Sequence, residues 1–167
     1  MNSLLKCFAL LAGLVISTTM FAQEREVPSV EIKTLDGETI NIQEFATNEK
    51  ITILSFWATW CSPCKKELDA IADIYEDWQE EYDVELVAIT IDTRRALAKV
   101  PGMVKTKGWD YTILSDANQE LQKALNFQTV PQTFVINQAG KIIYSHSGYV
   151  PGDEYELEDL LIELTEK

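Results

Sequence analysis

Between Ile51 and Trp57 the chain runs Ile-Thr-Ile-Leu-Ser-Phe-Trp, apolar on both faces. A strand of that kind belongs in the middle of a parallel sheet with cover on either side. Val84 to Ile91 is a second such run. The 20 to 30 residues between them hold a helical stripe, Leu68, Ile71, Tyr75 and Trp78, with Lys65, Lys66, Asp69, Asp73 and Asp77 elsewhere on the surface. The spacing predicts one helix from near Ser62-Pro63 to about Tyr82, and so a βαβ unit. Val30 to Ile42, centred on Asp36-Gly37, reads as a hairpin. Thr93 to Lys107 is weakly helical, with Pro101-Gly102 expected to break it in two. Asn118 to Leu125 reads as a short helix. Thr133–Ile136 and Lys141–Tyr144 are strands joined by the turn Asn137-Gln138-Ala139-Gly140. A last helix presents Leu157, Leu160, Leu161 and Leu164 to the sheet. The order is β-β-α-β-α-(α)-β-β-α. Hairpin strands run antiparallel and crossover strands parallel, so the expected fold is α/β: a mixed central sheet with helices on both faces.

The first 22 residues stand apart. Lys6 supplies positive charge, Cys7 to Ile16 is an unbroken apolar and small stretch, and Met20-Phe21-Ala22 precedes the first acid at Glu24. Ten apolar residues suit the core of a signal peptide better than a membrane span of about 20. Residues 1–22 are therefore expected to be removed, leaving a single domain over 23–167. An uncleaved anchor is the alternative, since Met20 is large where a small residue is usual. A buried helix would need a polar face, and Lys6 before Cys7 does not suit a lipoprotein.

Removal of that segment leaves two cysteines, Cys61 and Cys64. A disulfide across so short a loop constrains the unfolded chain little, so the pair is read as chemical. It follows a buried strand and opens a helix. There, free amides and the helix dipole favour a thiolate. Cys61, at or before the helix start, is the expected nucleophile and the more exposed thiol. Cys64, about a turn inside, is placed to attack a mixed disulfide on Cys61. Pro63 suits the first turn, where its missing N–H has no partner. Zinc usually needs four protein ligands, and neither a second such pair nor a nearby histidine is present. Charge narrows the partners further. With 27 acidic against 14 basic residues the formal charge is -13, which disfavours nucleic acid and anionic membrane surfaces.

The segment Phe56-Trp57-Ala58-Thr59-Trp60-Cys61-Ser62-Pro63-Cys64-Lys65-Lys66-Glu67 resembles the active-site segment of exported thioredoxin-like proteins of the TlpA/ResA type. Thr129-Val130-Pro131-Gln132-Thr133-Phe134-Val135-Ile136 is similar to their second signature, which carries a cis-proline. The resemblance spans roughly Val27 to Lys167. It implies a thioredoxin fold with an N-terminal hairpin extension and an insertion around Thr93 to Ser115. It also implies a cis Val130–Pro131 bond facing the cysteines, with Trp60, Val130 and Pro131 holding substrate. The activity implied is extracytoplasmic thiol–disulfide oxidoreduction through a Cys61–Cys64 disulfide, with protein disulfides or dithiols as substrates. No cofactor is required, and electrons come from an upstream donor protein, expected at the membrane. A periplasmic monomer acting as reductant, for instance in cytochrome c maturation, is the expected form.

The chain departs from classical thioredoxins at one buried position. Thioredoxins carry a buried Asp six residues before the first active-site cysteine, where this chain has Ser55. Glu67 matches a buried glutamate of the reductase branch, and is expected to manage the proton of Cys64; otherwise it is a first-turn Glu facing water. Thiol peroxidases of this superfamily carry Pro-x-x-x-Thr-x-x-Cys. Here Thr59 is two residues before Cys61, and position 54 is Leu. A copper carrier would use the thiolates for Cu(I), with His146 as a distant third ligand; related chaperones space their cysteines one residue further apart. Otherwise His146 reads as a surface residue, Trp57 as core, Trp60 as the rim of the site, and the acids of the last helix as solvated.

Overall fold

The computed structural model describes residues 24–166, so the proposed signal segment and Cys7 lie outside the described residues. Eight strands form one sheet: β1 (Arg25–Glu26), β2 (Glu31–Thr34), β3 (Thr39–Asn41), β4 (Ile51–Trp57), β5 (Val84–Thr90), β6 (Thr112–Ser115), β7 (Gln132–Ile136) and β8 (Lys141–Ser147), in the order β1-β8-β7-β4-β5-β6-β2-β3. The pairs β4/β5 and β5/β6 are parallel, whereas β7 is antiparallel to both β4 and β8. Among the described residues there are five α-helices, α1 (Ser62–Ala72), α2 (Tyr75–Tyr82), α3 (Val100–Lys107), α4 (Glu120–Leu125) and α5 (Asp153–Thr165), and two short 3-10 helices, Ile42–Ala46 and Leu97–Lys99. This is the thioredoxin-like α/β architecture.

All seven residues of β4 are buried, which is why its apolar character extends to both faces. Phe56 packs against Phe127 and Phe134. Trp57, in the core as expected, meets Trp109 edge-on at 5.1 Å. Along the first crossover Leu68, Ile71, Tyr75 and Trp78 are all buried; full burial of one such side chain is worth roughly 1.5–3 kcal/mol.

Several expected elements differ in the structure. The long helix is two helices. Its ladder breaks at Ile74, whose N–H bonds to Ile71 three residues back and whose backbone (φ -126°) leaves the helical region. The break seats Tyr75 so that its hydroxyl accepts the Leu86 N–H of β5 at 3.0 Å. The second crossover is in two pieces as expected, a 3-10 turn over Leu97–Lys99 and then α3, with the change just before Pro101. Pro101 occupies the first turn of α3, where no amide bond is lost. A strand absent from the expected order, β6, is four residues long. Its pairing with β2 fastens the hairpin to the sheet. The two-residue β1, also unexpected, pairs β8 at the far edge. Finally, β8 runs on to Ser147 and so includes His146.

Candidate active site

Cys61 is the N-cap residue of α1: its backbone is extended (φ -85°, ψ 104°) and its Sγ accepts the Cys64 N–H at 3.3 Å. A turn from the Ala58 carbonyl to the Cys61 N–H carries the chain from β4 into the helix. A sulfur so placed sees a free amide and the positive end of the dipole, the setting that favours a thiolate. Pro63 lies in the first turn, as its residue type predicts. Cys61 and Cys64 are disulfide-bonded with Cα atoms 5.4 Å apart. In this oxidised form Cys61 is 4% exposed and Cys64 fully buried. The expected order of exposure holds, but Cys61 is far less open than a free surface thiol. Trp60 beside it is 68% exposed.

The segment before the cysteines is held from two sides. Asp92, buried just beyond β5, accepts the Thr59 N–H at 2.7 Å, the Thr59 hydroxyl at 2.9 Å and the Thr90 hydroxyl at 2.8 Å. Lys65 Nζ donates to the Thr59 carbonyl at 3.0 Å. Sequence reasoning missed Asp92; the only signal was an acid closing an apolar strand.

The Val130–Pro131 peptide is cis, as the resemblance implies. Register places it at the same end of the sheet as the cysteines, because Gln132 pairs with Phe56 near the end of β4. The Pro131 carbonyl accepts the Gly148 N–H at 2.9 Å, which brings the loop after β8 alongside. Val150 on that loop is 64% exposed and adds apolar surface that the sequence did not single out.

Glu67 does not face water. It is 5% exposed on the same buried side of α1 as Cys64, and its Oε1 accepts the Thr133 hydroxyl of β7 at 2.6 Å. Burial pushes its carboxyl up from 4.5 to about 7; the Thr133 bond opposes this and the nearby charge of Asp153 adds to it. The Ser55 hydroxyl beside the carboxyl also favours its charged form, although neither Oε2 nor Ser55 Oγ makes a hydrogen bond of ordinary length among the described residues. Thr133, two residues after the proline in an apolar strand, had no sequence signal. His146 is half-buried rather than a surface residue. It lies opposite Thr133 in the β7/β8 register, its ring stacks on Tyr144, and its Nε2 is 3.2 Å from Asp153 Oδ2. The first acids of α5 are likewise not simply solvated, for Asp153 accepts the Val150 N–H and Glu154 the Gly152 N–H.

A dithiol pair at a helix N-terminus on a thioredoxin-like sheet defines the class: the chain is a thioredoxin-like thiol–disulfide oxidoreductase. Its matched region, residues 24–145, places it in the AhpC/TSA family. Sporulation thiol-disulfide oxidoreductase A of Bacillus subtilis is 32% identical over 145 residues, 83% of this chain and 86% of that protein. Thiol-disulfide oxidoreductase ResA of the same organism is 27% identical, over 78% of this chain and 74% of its own length. The solution structure of a thioredoxin-like protein from Porphyromonas gingivalis superposes with a TM-score of 0.75 at 37% identity, covering 85% of this chain and 94% of that one.

Proposed function

We propose that the mature chain, beginning at Gln23, works outside the cytoplasm as a reductant of protein disulfides. The observation that carries this reading is the unequal placement of the two sulfurs: Cys61 caps α1, while Cys64 is sealed on the side shared with Glu67. In the reduced protein the Cys61 thiolate attacks a substrate disulfide. The substrate S–S bond breaks, one substrate thiolate leaves, and a mixed disulfide forms on Cys61. Glu67 takes the Cys64 proton. The Cys64 thiolate then attacks Cys61 Sγ, releases the second substrate thiolate and closes the Cys61–Cys64 disulfide. Two electrons have passed to the substrate, and an upstream protein dithiol at the membrane restores the pair. No bound cofactor enters. Trp60, Val130 and Pro131 hold the extended substrate, and Val150 widens the apolar rim. Supply of thiols for cytochrome c maturation fits such a reductant. The Thr59 hydroxyl, engaged by Asp92, weighs against a peroxide-activating role.

The test is the reduction potential of the Cys61–Cys64 pair together with adduct trapping. A potential below about -250 mV supports a reductant, and one near the -120 mV of strong oxidants, roughly, overturns that assignment. Cys64→Ser should accumulate mixed disulfides on Cys61, and Cys61→Ser few; equal accumulation reverses the roles. Intact mass of exported protein checks the start at Gln23.

A further inference from the structure

One end of the Glu67 carboxyl is left over by the steps above. Oε1 accepts from Thr133, but Oε2 makes no hydrogen bond of ordinary length among the described residues. Beside Glu67 is a cavity of about 10 Å³, room for about one water. Its polar wall comes from three elements besides α1 and β7. Tyr144 and His146 belong to β8, Tyr149 to the following loop, and Asp153 and Glu154 to α5. Glu154 is committed to the Tyr149 hydroxyl and the Gly152 N–H, both at 2.9 Å. His146 and Asp153 form the pair at the mouth, their side chains 35% and 18% exposed. These two groups therefore reach both water and the buried carboxyl's surroundings.

We propose that the His146–Asp153 pair is a positioning pair for the resolving step, setting through this cavity how readily Glu67 accepts the proton of Cys64. This rests on the reading of Glu67 as that acceptor. Neither residue touches a sulfur. A charged Asp153 opposes ionisation of Glu67, so that the carboxyl holds its proton to higher pH. Protonated His146 cancels the Asp153 charge and favours the ionised carboxylate. The pair lines the cavity beside Glu67 and so helps set the acceptor strength of that carboxyl near neutral pH. Tyr111, Tyr144 and Tyr149, which also feel the Glu67 charge, have hydroxyls held neutral by burial and do not titrate in that range.

The experiment uses the mature protein, reduced, reacted with an aromatic disulfide such as 5,5′-dithiobis(2-nitrobenzoate) in a stopped-flow instrument. The first thiol released reports attack by Cys61, and the second reports resolution by Cys64. Asp153→Asn keeps the Val150 N–H bond and removes the charge, so the pH midpoint of the second phase should fall by roughly half a pH unit. His146→Gln removes the ring that partners Asp153, and the midpoint should rise by a similar amount. The first phase should be unchanged in both. Midpoints that stay together, or move in the same direction, overturn the proposal. Carboxyl carbon NMR of Glu67 in the oxidised variants gives the same midpoints without turnover, and unsplit values there overturn it equally. Glu67→Gln separates the two readings. If it retains the inflection, the acceptor reading fails and this one with it. If the inflection disappears while the two variants do not diverge, only the pair's role fails.

Discussion

Glu67→Gln is the substitution whose effect on stability has a sign and a pH window fixed by the site. The amide is nearly isosteric, and its Oε1 can still accept the Thr133 hydroxyl, so packing is conserved. What changes is the proton. In the folded chain burial first, with the Asp153 charge, raises the carboxyl to about 7, against the ordinary value of 4.5. Between those two pH values the folded state holds a proton that the unfolded state has released. Stability conferred by this group therefore falls as pH rises from about 4.5 to about 7 and stays low above that. Each pH unit in the window is worth about 1.4 kcal/mol, so the full effect is about 3 kcal/mol. Removing the carboxyl should make the oxidised protein about 3 kcal/mol more stable than wild type at pH 8. At pH 4.5 the two should be nearly equal. Urea unfolding of both proteins across pH 4.5 to 8.5, followed by tryptophan fluorescence, gives the difference directly, because the other titrating groups cancel. A difference that does not change with pH would refute the buried, proton-holding carboxyl.

Asp92→Ala orphans two hydroxyls and the Thr59 N–H next to the active-site turn; we expect about 3 kcal/mol of destabilisation in denaturant unfolding and slower attack by Cys61 in thiol-release kinetics. Gly140 has φ +74°, and a Cβ there would press into the Ala46 carbonyl. Gly140→Ala should cost about 3 kcal/mol in the same unfolding assay, with the reduction potential unmoved because the turn is remote from the cysteines.

Much of the architecture was legible in local pattern. A strand buried on both faces must show apolar residues at every position or nearly so, and β4 and β5 do. A proline in the first helical turn after a cysteine announces where α1 begins, because that turn needs no proline N–H. The Cys61–Cys64 pair was legible in its spacing, whereas the cis Val130–Pro131 bond followed from the resemblance and not from periodicity, which reads Pro131 as an ordinary proline. Periodicity also placed Leu68, Ile71, Tyr75 and Trp78 on one stripe, yet it could not show that the helix breaks at Ile74. That break depends on the Tyr75 hydroxyl meeting an amide of β5, a contact eleven residues distant.

Burial and pairing across the sheet were decided only in three dimensions. Strand β6 is a strand because β5 and β2 lie on either side of it, not because four residues with polar ends demand it. Glu67 on a bare helix would be a solvated first-turn acid. The sheet and α5 closing over it remove water and raise its proton affinity, and Thr133 reaches it from sixty-six residues away. His146 alternates with serines like a surface residue, and is half-buried because α5 brings Asp153 back across β8. A sequence carries the chemistry of each side chain and its local geometry. Proton affinity depends on the solvent and charges around a group, and those come from segments that only the folded chain brings together.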